Sequence, residues 1–166
     1  PFAFDAGDVG PNVVVLTVTD ACGNSSTCTT IVTITGSPVI GIAKRPTNVT
    51  NNGNGSYDIT YEINVENLGN VSIDSIQVTD DLTTTFPTPC TLNILEITSD
   101  DFIVNASYNG DSDQNLLLGG DDMDAGEKGA ILLTVQIDNC GNLGPFFNEA
   151  FVEGIAPGDL MVSDTS

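Results

Sequence analysis

The amino-acid sequence predicts an all-β fold, in which an Ig-like antiparallel β-sandwich is preceded by part of a second β-sandwich module. Apolar residues recur at every second position in short runs, which is the pattern of strands with one buried face. Clusters of Gly, Asn, Asp and Thr separate these runs at roughly eight- to twelve-residue intervals, as between the strands of a sandwich. No run has the period of a helix, and none is long enough to span a membrane.

The first element predicted is a β-hairpin. Val13–Thr19 and Cys28–Thr35 are rich in Val, Ile and Thr, and the polar segment between them contains the turn-forming pair Gly23-Asn24. Two strands alone cannot bury a face, so we expect the hairpin to end a larger sandwich whose other strands lie upstream. The sequence starts and stops in mid-pattern and is therefore interpreted as an excerpt from a longer protein.

A boundary is predicted at Gly36-Ser37-Pro38, which divides the chain into residues 1–36 and a complete sandwich over residues 37–166. The clearest strand is Tyr57–Asn67, in which apolar and polar side chains alternate throughout. A loop of Asn, Gly and Thr is expected at Asn48–Gly55. The other predicted strands are Val39–Ala43, Val71–Thr79, Leu92–Ile97, Phe102–Asn105, Ala130–Ile137, Phe147–Ile155 and Leu160–Val162.

Charge and composition exclude several classes of function. The chain has 23 acidic and three basic residues, for a net charge of −20, so it repels nucleic acid and anionic membrane surfaces. It has no histidine, which removes Ser–His and Cys–His nucleophilic machinery and the commonest general base. Paired carboxylates for glycoside hydrolysis would have to come from turns, with no tryptophan for sugar stacking. We therefore expect a protein that is not an enzyme.

The four cysteines are Cys22, Cys28, Cys90 and Cys140. Zinc would require all four, at a spacing outside the usual range, so disulfides in an oxidising, extracellular setting are favoured. Three pairings are open. Cys22–Cys28 with Cys90–Cys140 is preferred, because the first closes a hairpin and the second a long loop worth about 4 kcal/mol of chain entropy.

A calcium-binding loop is predicted from Asp111, Asp113, Asn115 and Asp122. Their D-x-D-x-N spacing lets alternate oxygen ligands converge on one hard cation. Leu116 stands where an EF-hand has glycine, and no helix flanks the loop, so the site would be looser than an EF-hand. The alternative is a solvated polar loop without a metal.

Two further carboxylate clusters, Asp80-Asp81 and the segment 121–124, would repel unless a cation is nearby. With only Lys44, Arg45 and Lys128 available, internal neutralisation is not expected. The favoured interpretation places both clusters in exposed turns between strands.

Two segments resemble known families. The stretch "VTDACGNSSTCTTIVTI" resembles the last hairpin of a hyalin-repeat (HYR) or PKD-like module. The region from Val39 to Ser166 is similar to the DUF11-type repeat of giant surface proteins of Bacteroidetes-like bacteria, through "YDITYEINVENLGNVSIDSIQVTDDL", "YNGDSDQNLLLGGDDMDAGEKGAILLTVQI", "GPFFNEAFVEG" and "VSDTS". The resemblance implies Ig-like sandwiches repeated in tandem in secreted adhesins or filaments, and it supplies no catalytic residues.

These observations predict a structural repeat module of a large secreted cell-surface adhesin or extracellular filament. Its expected partners are neighbouring Ig-like modules of the same chain, further copies in a homo-oligomer or filament, and a cell-surface glycan or protein. Two alternatives remain open: a binding module that grips a glycan or protein through its loops, and an accessory module of a secreted multidomain enzyme.

Overall fold

A computed structural model of the chain describes residues 3–4, 6–141 and 144–166. These residues form ten strands, one short helix and a 3-10 turn. The strands are β1 (Gly10–Thr19), β2 (Ser25–Ile34), β3 (Ile40–Gly53), β4 (Ser56–Asn67), β5 (Ile73–Thr79), β6 (Thr91–Thr98), β7 (Asp121–Met123), β8 (Lys128–Asp138), β9 (Phe151–Ala156) and β10 (Leu160–Thr165). The 3-10 turn is Ala6–Asp8 and the helix, α1, is Leu82–Thr85.

The predicted hairpin is confirmed by β1 and β2, which pair with each other alone. The register is regular from Gly10 opposite Ile34 to Thr19 opposite Ser25. Asp20 closes the turn, because its Oδ1 accepts hydrogen bonds from the backbone N–H groups of Cys22 and Asn24. No residue of either strand is buried, so this two-stranded sheet has no core of its own.

The remaining eight strands confirm the all-β antiparallel sandwich. One sheet has the order β3-β4-β8-β6 and the other β10-β9-β5-β7. Strand β4 is central in its sheet and pairs with β3 and β8, in keeping with its strict alternation. The core between the sheets is aliphatic, and its fully buried members include Ile63, Val65, Ile73, Ile76, Val78, Leu82, Leu116, Ile131, Leu133, Val135 and Val152.

Three local predictions are corrected. The expected loop at Asn48–Gly55 is mostly strand, because β3 continues to Gly53 beside β4 and only a tight turn at Asn54-Gly55, with φ of 54° and 81°, reverses the chain. The expected strand Phe102–Asn105 makes only an isolated bridge, between Val104 and Leu117. The helical turn α1 was not predicted; it is one turn long, too short to show a period.

The segment between the hairpin and the sandwich is tied to the β4–β5 turn. Ser37 N–H donates to Asn70 Oδ1 (2.7 Å), and Asn70 N–H donates back to Ser37 O (3.2 Å). A side chain on Gly69 would collide with the Ser37 carbonyl, so the close approach needs glycine there. The boundary between residues 36 and 37 remains a prediction. Among the described residues, no helix is long and apolar enough to cross a bilayer.

Candidate functional site

A buried ion pair lies between the two sheets. The alternation of β3 points Ile40, Ile42 and then Lys44 towards the inside, and the Lys44 side chain is only 1% exposed. Asp80 directly follows β5 of the opposite sheet, and its side chain is 0% exposed. The distance from Lys44 Nζ to Asp80 Oδ2 is 2.5 Å. The molecule thus places one of its three cations in its core, where a charge is costly unless closely paired.

Aromatic side chains surround this pair. Lys44 Nζ lies 4.7 Å from the centre of the Tyr61 ring, which supplies a cation–π contact. The Tyr108 hydroxyl donates a hydrogen bond to the backbone carbonyl of Asp80 (3.2 Å). Because both rings are buried, they exclude water from the amine and the carboxylate.

Burial destabilises the charged forms of both Lys44 and Asp80. Burial lowers the pKa of the Lys44 amine, with the Asp80 charge opposing it, and burial raises the pKa of the Asp80 carboxyl, with Lys44 opposing it. Burial also raises the pKa of the Tyr61 hydroxyl to about 12. Both shifts of the pair favour a neutral amine beside a neutral carboxyl, since desolvation penalises charge.

A carboxamide completes the site. Asn148, three residues before β9, lines the same cleft as Lys44 and Tyr61. Its Oδ1 accepts a hydrogen bond from the Thr85 hydroxyl (3.0 Å), whereas its Nδ2 is buried and has no hydrogen-bond partner. Asp80 Oδ1 is likewise buried without a partner. Buried polar atoms in native proteins are nearly always paired, so two unpaired atoms at one site call for a chemical explanation.

This site corrects the interpretation of Asp80-Asp81 as an exposed pair lacking internal neutralisation. Asp80 is buried against Lys44, while Asp81 caps α1 by accepting from the backbone N–H groups of Thr83 (3.0 Å) and Thr84 (3.2 Å). The other two cations also have carboxylate partners in the structure. Arg45 pairs with Glu62 (2.7 Å) and Lys128 with Glu66 (2.9 Å).

Of the carboxylates predicted to bind calcium, that of Asp113 is engaged in loop hydrogen bonds. Asp113 Oδ2 accepts from Asn105 Nδ2 (3.0 Å) and its Oδ1 from the N–H of Asn115 (3.2 Å). Asp111 is exposed, and its N–H donates to Asn109 Oδ1. Asp122 is exposed on β7. In the part of the chain that the structure describes, no three His, Cys, Asp or Glu side chains are grouped to hold a metal; the calcium site remains a prediction.

The cysteines follow one of the two preferred pairings. Cys90 and Cys140 form a disulfide, with their Cα atoms 4.3 Å apart, next to the core. The predicted Cys22–Cys28 bond is absent, and both side chains are exposed free thiols. Cys28 lies opposite Leu16, about 10 Å along β2 from Ser25, while Cys22 lies in the turn itself. Closure of the bond would require movement of the backbone.

An apolar cleft opens near the disulfide. It is lined by Pro46, Val49, Tyr57, Ile59, Tyr61, Phe86, Ile137, Cys140 and Phe146. The Phe86 and Phe146 rings are 5.0 Å apart and tilted by 57°. The cleft is thus an aromatic surface that touches the site through Tyr61.

Searches with protein-family models and among curated proteins found no match to this chain. The HYR/PKD-like and DUF11-type resemblances therefore remain predictions. The fold and the buried site are established from the residues themselves.

Proposed function

We propose that the chain is a non-catalytic structural repeat module of a large secreted cell-surface adhesin or extracellular filament. The observation that carries this proposal is the course of the first and last strands of the sandwich. The N–H of Ile42 on β3 donates to Asp164 Oδ2 on β10 (3.0 Å). Two residues further along the chain from each of these, Lys44 on β3 and Ser166 just after β10 line one cleft. The two strands therefore run side by side in the same direction.

The parallel direction of β3 and β10 suits modules that are joined end to end. The chain enters the sandwich at the end where Ile40 lies opposite Asn67, and β10 heads away from that end. A following module would continue in the direction of β3, so tension along the chain would load the strands along their length. The hydrogen-bonded linker at Ser37 and Asn70 limits bending at the entry. The disulfide is compatible with an extracellular location.

Single-molecule extension of the chain through its two ends tests the proposal. A load-bearing module is expected to resist extension up to a force well above that of a matched domain whose terminal strands separate one hydrogen bond at a time. Extension at forces indistinguishable from such a domain would contradict the structural role.

A ligand-binding module is the second candidate, and the apolar cleft favours it. An aromatic surface beside Tyr57 and Phe146 is the kind of concave site that takes a glycan or an apolar peptide. Screening against glycan and peptide arrays, with Tyr57→Ala as the control variant, distinguishes this candidate. Specific binding that is lost in the variant would favour it over a purely mechanical role.

A further inference from the structure

We propose that Lys44 and Asn148 react within the folded chain to form an amide bond between Lys44 Nζ and Asn148 Cγ, with Asp80 as the catalytic proton carrier and ammonia as the leaving group. This inference does not depend on the proposed structural role. It concerns a modification that the module performs once on itself.

The contacts of the site carry the proposal. Asp80 Oδ2 contacts the Lys44 amine, and its Oδ1 is buried without a partner. The Asn148 amide lies in the same cleft, with Nδ2 also buried and unpaired. A nucleophile, a proton carrier and a carboxamide electrophile are therefore enclosed together. Holding reacting groups together in fixed positions converts a bimolecular step into an effectively unimolecular one, which removes a large part of its entropic barrier.

The reaction is balanced without any co-reactant. The lone pair of Lys44 Nζ attacks Asn148 Cγ, and negative charge develops on Oδ1, which already accepts a hydrogen bond from the Thr85 hydroxyl. Asp80 takes a proton from Nζ and delivers one to Nδ2, so the C–N bond to Nδ2 breaks and ammonia leaves. Amine plus primary amide thus become secondary amide plus ammonia, and Asp80 is regenerated.

The protonation states suit this sequence. Burial lowers the pKa of Lys44, which favours the neutral amine that can act as a nucleophile. Burial raises the pKa of Asp80, which favours a carboxyl that can return a proton.

A bond from Lys44 to Asp80 is the competing chemistry, and it would release water. It would also consume the carboxyl that carries the proton. The neighbouring Asp81 cannot replace it, because its oxygens accept hydrogen bonds from Thr83 and Thr84 at the start of α1. The structure therefore favours Asn148 as the acyl donor.

The bond would join the two sheets directly. Lys44 is on β3 of one sheet, and Asn148 leads into β9 of the other. All of the chain from 45 to 147 would be enclosed in one covalent loop, which reduction cannot open.

Intact-mass spectrometry of the full chain, after reduction of its disulfide, is the direct test. We expect a mass below that of the sequence by one ammonia. An unchanged mass, or a loss of one water, would overturn the proposal; the second result would indicate the Lys44–Asp80 bond.

Tryptic digestion of the reduced, unfolded chain separates the cross-link from a succinimide at an Asn-Gly sequence, which also loses ammonia. An acylated Lys44 is no longer a cleavage site, and Arg45 is followed by Pro46, so cleavage is expected only after Lys128. The fragments 1–128 and 129–166 should stay joined under reducing conditions and should give a branched Lys44–Asn148 peptide on further digestion. Separate fragments would refute the bond.

Single substitutions test the roles proposed for Lys44, Asn148 and Asp80. Lys44→Met, Asn148→Ala and Asp80→Ala should each have the full sequence mass, whereas Lys128→Met, which removes an exposed lysine, should still lose ammonia. Far-ultraviolet circular dichroism shows which variants fold. A Lys44–Asn148 branched peptide cannot form in Asn148→Ala, and loss of ammonia together with joined tryptic fragments in folded Asp80→Ala would contradict the assignment. The mass and the tryptic fragments of the wild-type chain together decide the proposal even if a variant fails to fold.

Discussion

The hairpin at 10–34 and the sandwich at 40–165 have the same local sequence pattern but different physical states. Both are β-branched runs with turn residues between them, and both pair in regular antiparallel register. In the hairpin Val13 is 68% exposed and Ile31 65%, whereas in the sandwich Ile63 and Leu133 are 0% exposed. The two regions differ in exposure because the sandwich has a second sheet packed against the first, whereas the hairpin has none. Alternation fixes which side chains share a face, but only a covering layer turns that face into a core.

Among the substitutions that compare the two regions, loss of the disulfide should have the largest effect on the unfolding free energy. The paired Cys90→Ala, Cys140→Ala chain should lose about 4 kcal/mol of unfolding free energy, because the bond spans 50 residues. The matched Cys22→Ala, Cys28→Ala chain should be unchanged within about 0.5 kcal/mol, since those thiols are free and exposed. Urea unfolding followed by circular dichroism measures both; equal losses would contradict the disulfide assignment.

Truncation of a buried side chain should cause the second-largest loss of unfolding free energy. Leu133→Ala is expected to cost about 3 kcal/mol, from lost burial and the cavity left behind. Val18→Ala on β1 should cost less than about 0.5 kcal/mol, because Val18 is 61% exposed. Thermal unfolding of the two variants compares the regions directly, and a large effect of Val18→Ala would show that the hairpin face is covered.

The helix cap should have a smaller effect. Asp81→Ala is expected to cost about 1 kcal/mol at neutral pH, the usual value for removal of an N-cap side chain. The hydrogen bond from the Thr83 side chain lowers the pKa of Asp81 below its ordinary value of 3.8 in the folded state. The cap therefore stabilises fully above that value and loses its effect as the pH falls through the folded pKa. The gap between wild type and variant should narrow in acid-unfolding curves, and a constant gap would contradict the cap.

Removal of the hairpin should have the smallest effect. A chain starting at Ser37 keeps the linker contacts and every core residue, so its unfolding free energy should match the full chain within about 0.5 kcal/mol. Calorimetry of both chains makes the comparison. A substantial loss would show that the hairpin supports the sandwich.

The sequence predicted the strands of the sandwich well because their signal is local. Tyr57–Asn67 and Ala130–Ile137 correspond closely to β4 and β8, the central strands with the strictest alternation. The predicted loop at Asn48–Gly55 was wrong because Asn and Gly are poor strand formers, and pairing with β4 overrode that preference.

The buried site was missed because its members are distant in sequence. Asp80 next to Asp81 looks like an acidic turn, and Asn148 is one Asn among many, so neither shows its environment locally. One signal was available: Lys44 continues the inward alternation of Ile40 and Ile42. A lysine in phase with core positions, in a chain with only two other cations, indicates a buried amine in need of a partner.

The pairing of all three cations has a consequence for how such modules would behave in series. Each lysine and arginine side chain already contacts a carboxylate of its own module, so the module offers a neighbour no unpaired lysine or arginine. An array of modules joined end to end would behave as a polyelectrolyte, in which each module has a formal net charge of −20. At low salt, repulsion between neighbouring modules would keep the array extended. At physiological ionic strength the screening length falls to about 8 Å, so this repulsion would weaken and the array would bend more easily.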